Sequence, residues 1–213
     1  MAVSTALDAV RLGSSEVAAL YLGSDSVWTA NAPGMVLVSP TSITYSGTSA
    51  TLGANGQVTF TAVTSLSLNG VFSADFDTYF ISIRTVGSSS DNNFDMRLRA
   101  SGSDNSTASS YTSQRISAGS TTITAGRNTT TAFAPFFQMS NTARSGLSFH
   151  LYGPFLAQPT AGRVVHVSGY LSAYIQEMAF THNQSTSYDG LTILRQDATQ
   201  SMSGAVQVYG IRS

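Results

Sequence analysis

Two aspartates separated by one residue, Asp75 and Asp77 in Phe72-Ser-Ala-Asp-Phe-Asp-Thr-Tyr79, have a spacing that suits chemistry. On an extended chain both carboxylates fall on one side, where they could hold a calcium ion or work as an acid and base pair. A polysaccharide-cleaving enzyme would draw on Asp75, Asp77 or Glu177, with two carboxylates about 5 to 10 Å apart in a cleft. The favoured reading of this stretch is a polar corner between strands, with Phe72, Phe76 and Tyr79 packed inward. His150, His166 and His182 each fall in or beside a strand-like segment, and no H-x-H or H-E-x-x-H spacing brings two imidazoles to one metal. They read as ordinary hydrogen-bonded histidines. Ser90-Asp-Asn92 and Ser103-Asp-Asn105 match one element of penicillin-recognising serine enzymes, whose S-x-x-K and K-T-G partners are impossible in a chain without lysine. These triplets read as turns. No G-x-S-x-G elbow signals a hydrolase nucleophile.

Asn105, Asn128 and Asn183 begin glycosylation-type triplets, a chance product of a sequence this rich in Ser, Thr and Asn. Tyr111, Tyr170, Tyr174 and Tyr188 could stack on sugar rings, although tyrosines in a strand-rich chain are more often strand residues. No site calls for a cofactor or a metal.

The elements that must position these residues follow from composition and period. Only 10% of the 213 residues are charged, against roughly 25% in ordinary soluble domains. Polarity comes from 34 serines and 25 threonines. Thr with many Val, Ile, Phe and Tyr favours pleated surfaces, while Ser, Gly, Asn and Asp fill turns. All ten cations are Arg, and the net charge of −1 leaves no basic footprint for nucleic acid or an anionic membrane. Cysteine is absent, so disulfides and thiolate metal sites are excluded. No run of about 18 apolar residues could span a bilayer, and a signal-peptide pattern is lacking, so the expectation is a soluble protein made in the cytoplasm.

From Gly56 onward the period is two. Val58 and Phe60 alternate with Thr59 and Thr61, and Tyr79, Ile81 and Ile83 share a face opposite Ser82 and Arg84. In Phe94-Asp-Met-Arg-Leu-Arg-Ala100 the apolar residues point one way, and Asp95, Arg97 and Arg99 are expected on a wet face. Further strands are expected at residues 111–116, 131–139, 147–152, 163–175, 191–195 and 205–211. Eight to ten strands after Val58 predict an all-β, jelly-roll-like antiparallel β-sandwich over residues 57–213. Residues 31–56, with Pro33-Gly34 and Ser39-Pro40, read as a linker carrying one or two small strands.

The first 30 residues have a texture of their own. Val10-Arg-Leu-Gly-Ser-Ser-Glu-Val17 is echoed ten positions later by Leu20-Tyr-Leu-Gly-Ser-Asp-Ser-Val27, closed by Trp28. Each copy of L-G-S-[SD]-[ES]-V reads as strand, tight turn, strand, with Gly13 and Gly23 permitting the turns. An amphipathic helix from Ser4 to Leu22 is the alternative, interrupted by Gly13 at a cost of about 1 kcal/mol. A lone hairpin is marginal in water, so the pair reads as an attachment segment ordered by other chains.

This opening resembles the N-terminal repeat of tailed-bacteriophage structural proteins, especially minor tail and tail-fibre proteins. Val71-Phe-Ser-Ala-Asp-Phe-Asp-Thr-Tyr-Phe-Ile-Ser-Ile83, on through Met96-Arg-Leu-Arg-Ala-Ser-Gly102, is similar to a β-sandwich module of phage virion proteins, which often ends in a strand like Val206-Gln-Val-Tyr-Gly-Ile-Arg212. The resemblance implies a non-enzymatic virion component, a homotrimeric tail fibre or adaptor. Its N-terminal repeat would dock to the particle and its sandwich would face outward toward a host-surface glycan. Docking and oligomerisation then fall on Leu12, Gly13, Val17, Leu22, Gly23, Val27 and Trp28. The implied partners are further copies of the chain and other virion proteins of the tail or capsid. Alternatives are a capsid decoration protein or head fibre docked to the shell, and a free carbohydrate-binding module.

Overall fold

The computed structural model describes residues 10–12, 15–17, 19–22, 25–29, 34–88, 92–119, 121–168, 174–195, 197 and 199–212. Every regular element among them is a strand. In chain order these are β1 (Val10–Leu12), β2 (Ser15–Val17), β3 (Ala19–Leu22), β4 (Asp25–Thr29), β5 (Gly34–Val38), β6 (Ser42–Leu52), β7 (Val58–Asn69), β8 (Thr78–Gly87) and β9 (Asn92–Ala100). They continue with β10 (Ser103–Asp104), β11 (Tyr111–Gly119), β12 (Thr122–Thr131), β13 (Ala134–Met139), β14 (Ser145–Tyr152), β15 (Thr160–Ser168), β16 (Tyr174–His182), β17 (Gly190–Arg195) and β18 (Met202–Arg212). The all-β class expected from the hydroxyl-rich, period-two sequence is the class observed.

The N-terminal repeat is two antiparallel hairpins. In the first, Val10 lies opposite Val17 and Leu12 opposite Ser15; in the second, Leu20 lies opposite Trp28 and Leu22 opposite Asp25. Among the described residues from Val10 to Leu22 the helical alternative is therefore replaced by strands, and the period of the L-G-S repeat suits a hairpin rather than helical turns; residues 4–9 lie outside the described residues. Each hairpin is a separate two-stranded sheet.

The remaining strands form one large antiparallel sheet that curls on itself. Its path runs β10-β9-β17-β7-β18-β8-β14-β15-β16-β11-β12, with β13 on β9, β5 on β18 and β6 on β7. The bend is made in β7. Val58 to Val63 pair with β18, whereas Ser65 to Leu68 pair with β17, so one strand serves both layers. At the switch Ala62 has φ 48°, its amide donates to the Ser203 hydroxyl at 2.9 Å, and the facing strand β6 slips register between Ser46 and Gly47. Gly47 is required there: its φ is +125°, and a Cβ would sit 2.3 Å from the Ala62 carbonyl oxygen.

Curling brings β9, β13 and β17 over β8, β11 and β14. Phe94, Met96, Leu98, Ile193, Phe149, Leu151, Val164 and Met178 fill the space between as one apolar core. Two polar struts cross the layers. The Leu98 amide donates to the Tyr111 hydroxyl at 2.9 Å, and the Thr85 hydroxyl reaches the Met139 sulfur at 3.4 Å.

Three expectations are corrected. Twelve strands follow residue 57, more than the eight to ten expected, because β12 is exposed along almost its whole length and carries no alternating apolar signal, and because residues 163–175, read as one strand, contain parts of β15 and β16. Residues 31–56, read as a linker carrying one or two small strands, do hold two strands, β5 and β6, but these belong to the main sheet, and the 11-residue β6 pairs with β7 from Ser42 to Leu52. The outer side of β9 is not wet. Asp95 is fully buried and Arg99 nearly so. The Arg99 guanidinium lies along the sheet, donating to Ser67 Oγ at 2.9 Å, Thr192 Oγ1 at 2.7 Å and Asn69 Oδ1 at 3.1 Å, and also to Asp104 and the Gly102 carbonyl. Alternation places a charge on a face; a neighbouring loop decides whether that face meets water.

Candidate functional site

The seven docking positions separate by backbone placement. Leu12 ends β1 and Val17 ends β2; Leu22 ends β3, and Val27 and Trp28 lie in β4. Gly13 and Gly23 lie outside the described residues. Leu22 is 76% exposed, a large apolar side chain offered to solvent on an element of two strands.

A second surface, unmarked by any motif, lies on the outer face of β14, β15, β16, β11 and β12. Antiparallel register sets its side chains in rows across the strands. One row runs Val167, Ile175, Ala118, Ile123, and the next runs Val165, Glu177, Ile116, Ala125. Val165, Val167, Ile175, Ile116 and Ile123 are all exposed, Ile123 by 76%. Neighbouring exposed aliphatic side chains on one sheet face are the ordinary mark of an interaction surface. The sequence held a trace of it in Val164-Val165-His166-Val167, apolar on both faces of a strand, which a sheet wet on one side does not need.

The next rows toward the other end change character. His150, Arg163, Ala179, Gln114 and Arg127 form one, and Tyr152, Ala161, Thr181 and Thr112 the next. All of these except His150 line a shallow groove of about 480 Å3. Arg163 binds Glu177 Oε1 through Nε at 2.7 Å and Nη2 at 2.6 Å. The His150 and Tyr152 rings are stacked, 6.3 Å apart and 12° from parallel, and Phe80 abuts His150 at 5.2 Å.

The residues singled out for chemistry lie apart from one another. Asp75 and Asp77 are exposed in the non-strand corner between β7 and β8, where Asp75 Oδ2 accepts from the Ser73 hydroxyl at 3.1 Å. Phe72 and Phe76 pack edge-on against Tyr79, as a polar corner requires. Glu177, held by Arg163, sits on β16, three strand spacings or about 14 Å from β8. His150 is on the outer face, whereas His166 and His182 are fully buried. Burial lowers both buried imidazoles to about 4; for His182 the nearby Ser110 carbonyl works in the opposite direction. Among the described residues no group of three or more His, Asp or Glu side chains could hold a metal ion. No helix among them is long and apolar enough to cross a membrane.

Tyr111 and Tyr188 are fully buried and offer no face to a sugar. Tyr111 is a core strut. Tyr188 closes a polar corner, its hydroxyl 2.6 Å from His182 Nε2 and accepting from Asn105 Nδ2 at 2.7 Å. Burial raises both phenols above their ordinary value. Tyr170 and the Tyr174 side chain lie outside the described residues. Ser103 and Asp104 form β10 against β9, with Asp104 Oδ1 accepting from Thr192 at 2.6 Å, so this triplet is structural. Ser90 and Asp91 lie outside the described residues, as does the side chain of Asn92. No protein-family model matches the chain, and no curated protein matches it.

Proposed function

We propose that this chain is a structural component of a phage virion, a homotrimeric tail-fibre or adaptor protein that docks through its N-terminal hairpins and displays its β-sandwich to a host surface. The observation that carries the reading is the repeat itself: two tandem hairpins, each a sheet of two strands outside the main sheet, with Leu22 bare to solvent. A sheet of two strands lacks the buried area to hold itself together in water, so its stable form lies against a partner. The aliphatic rows of Val165, Val167, Ile175, Ile116 and Ile123 support self-association through the sandwich. A low charge count and the absence of cysteine suit a protein stabilised by buried subunit surface.

Incorporation into particles tests the docking role. Leu22→Asp in the full chain should leave the thermal unfolding midpoint unchanged and reduce incorporation at least tenfold; removal of residues 1–30 should abolish incorporation while the sandwich stays folded. Incorporation equal to that of the unmodified chain in both cases would remove the docking reading.

A further inference from the structure

The groove bounded by Tyr152 and Arg127 has the makings of a ligand site. From β14 to β12 it crosses four strand spacings, about 19 Å, longer than one sugar ring and matched to a short chain of them. Its floor is flat and low, with Ala161 and Ala179 among the outward residues, so a ligand can lie across the strands without meeting a tall side chain. At one end Tyr152 is 45% exposed, and its stacking on His150 fixes the plane of the ring. A preset aromatic plane beside a shallow floor accepts the C–H face of a pyranose.

The polar groups are disposed for the rest of such a ligand. Arg163 engages only Oε1 of Glu177, which stands in the row bordering the groove and so leaves Oε2 at its rim as an acceptor for a hydroxyl. Gln114 stands in the same row. Arg127 makes no hydrogen bond or ion pair among the described residues, so with the Arg163–Glu177 pair neutral the groove holds one uncompensated guanidinium in a chain of net charge −1. A planar fork of donors with no counter-charge matches a carboxylate.

We propose that this groove binds an acidic oligosaccharide, with Tyr152 stacking on one ring, Glu177 and Gln114 taking hydroxyls, and Arg127 pairing with the carboxylate of a neighbouring ring. The proposal deepens the display role above and rests on it. A peptide fits less well, since the groove lacks the deep apolar pockets that anchor side chains and is not itself a strand edge.

The test is an array of carboxylate-bearing oligosaccharides, including tetragalacturonate and sialyllactose, printed beside their methyl esters and neutral counterparts and probed with the full chain. Saturable binding is expected to at least one acidic glycan, at least tenfold weaker for its methyl ester. Tyr152→Ala and Arg127→Gln, both surface changes, should each weaken that binding at least tenfold with an unchanged thermal midpoint, whereas Tyr45→Ala, an exposed ring on β6 outside the groove, should not. No binding to any acidic glycan at millimolar concentration would overturn the proposal, as would equal binding of acid and ester, or binding that Tyr152→Ala leaves intact. Particle incorporation of the same variants is scored separately. Incorporation without glycan binding refutes the groove and leaves the docking role standing, and glycan binding without incorporation of the unmodified chain does the reverse.

Discussion

At the scale of single residues, several of the most polar side chains do structural work inside the fold. The Tyr111 hydroxyl receives the Leu98 amide on the edge of β9 opposite β17, in the gap between the reach of β13 and that of β10. Tyr111→Phe would leave that buried N–H without an acceptor, and the expected loss is about 1 to 3 kcal/mol, read as a lower urea midpoint. His166 and His182 set a pH dependence. Both are held neutral by burial, with values near 4 in the fold against 6.5 in the unfolded chain. Between those limits the unfolded chain binds more protons, so stability is complete above pH 6.5 and falls as pH drops toward 4. The fully buried His166 accounts for about 3 kcal/mol of that fall. Urea midpoints at pH 7 and pH 4.5 check it: a flat profile would contradict the burial argument, and His166→Gln should shallow the slope. The sequence identified Phe94, Met96 and Leu98 as core by period alone. Asp95 and Arg99 were not legible as buried, because their neighbours come from elsewhere in the chain: Ser67 and Thr192 around Arg99, and the flanking strands β13 and β17 beside Asp95.

At the scale of elements, the bend in β7 lets one sheet face itself. Gly47→Ala would place a methyl group against the Ala62 carbonyl in a backbone region L side chains rarely adopt, and a loss of more than about 1 kcal/mol is expected from thermal unfolding. An unchanged midpoint would show that the corner can relax. Strands buried on one face, such as β8 and β14, were readable from alternation. β6 and β12 were not, since most of their residues are exposed, with only Ile43, Ala50 and Leu52 of β6 reaching the core, and hydrogen bonding to a neighbour is what chiefly makes them strands. The hairpins were readable for a different reason: a repeated turn sequence needs no core to announce it.

At the scale of the whole molecule, the fold class followed from composition and period, while the functional surfaces were only partly visible. The N-terminal repeat, proposed above to dock, showed in the sequence. The aliphatic rows and the groove beside them did not, because they are assembled by register across strands far apart in the chain. If the aliphatic rows join copies of the chain, Ile123→Glu together with Ile175→Glu should turn an oligomer into a monomer in sedimentation velocity. A monomeric unmodified chain would remove the oligomer interface from the account.

Hydrogen–deuterium exchange of the backbone amides of residues 10–29, in the isolated chain and in the assembled particle, tests the central claim most directly. The expected result is fast exchange in isolation and strong protection on assembly, since two-stranded sheets gain lasting order from a partner surface. Equal and strong protection in a monomer free in solution would contradict it.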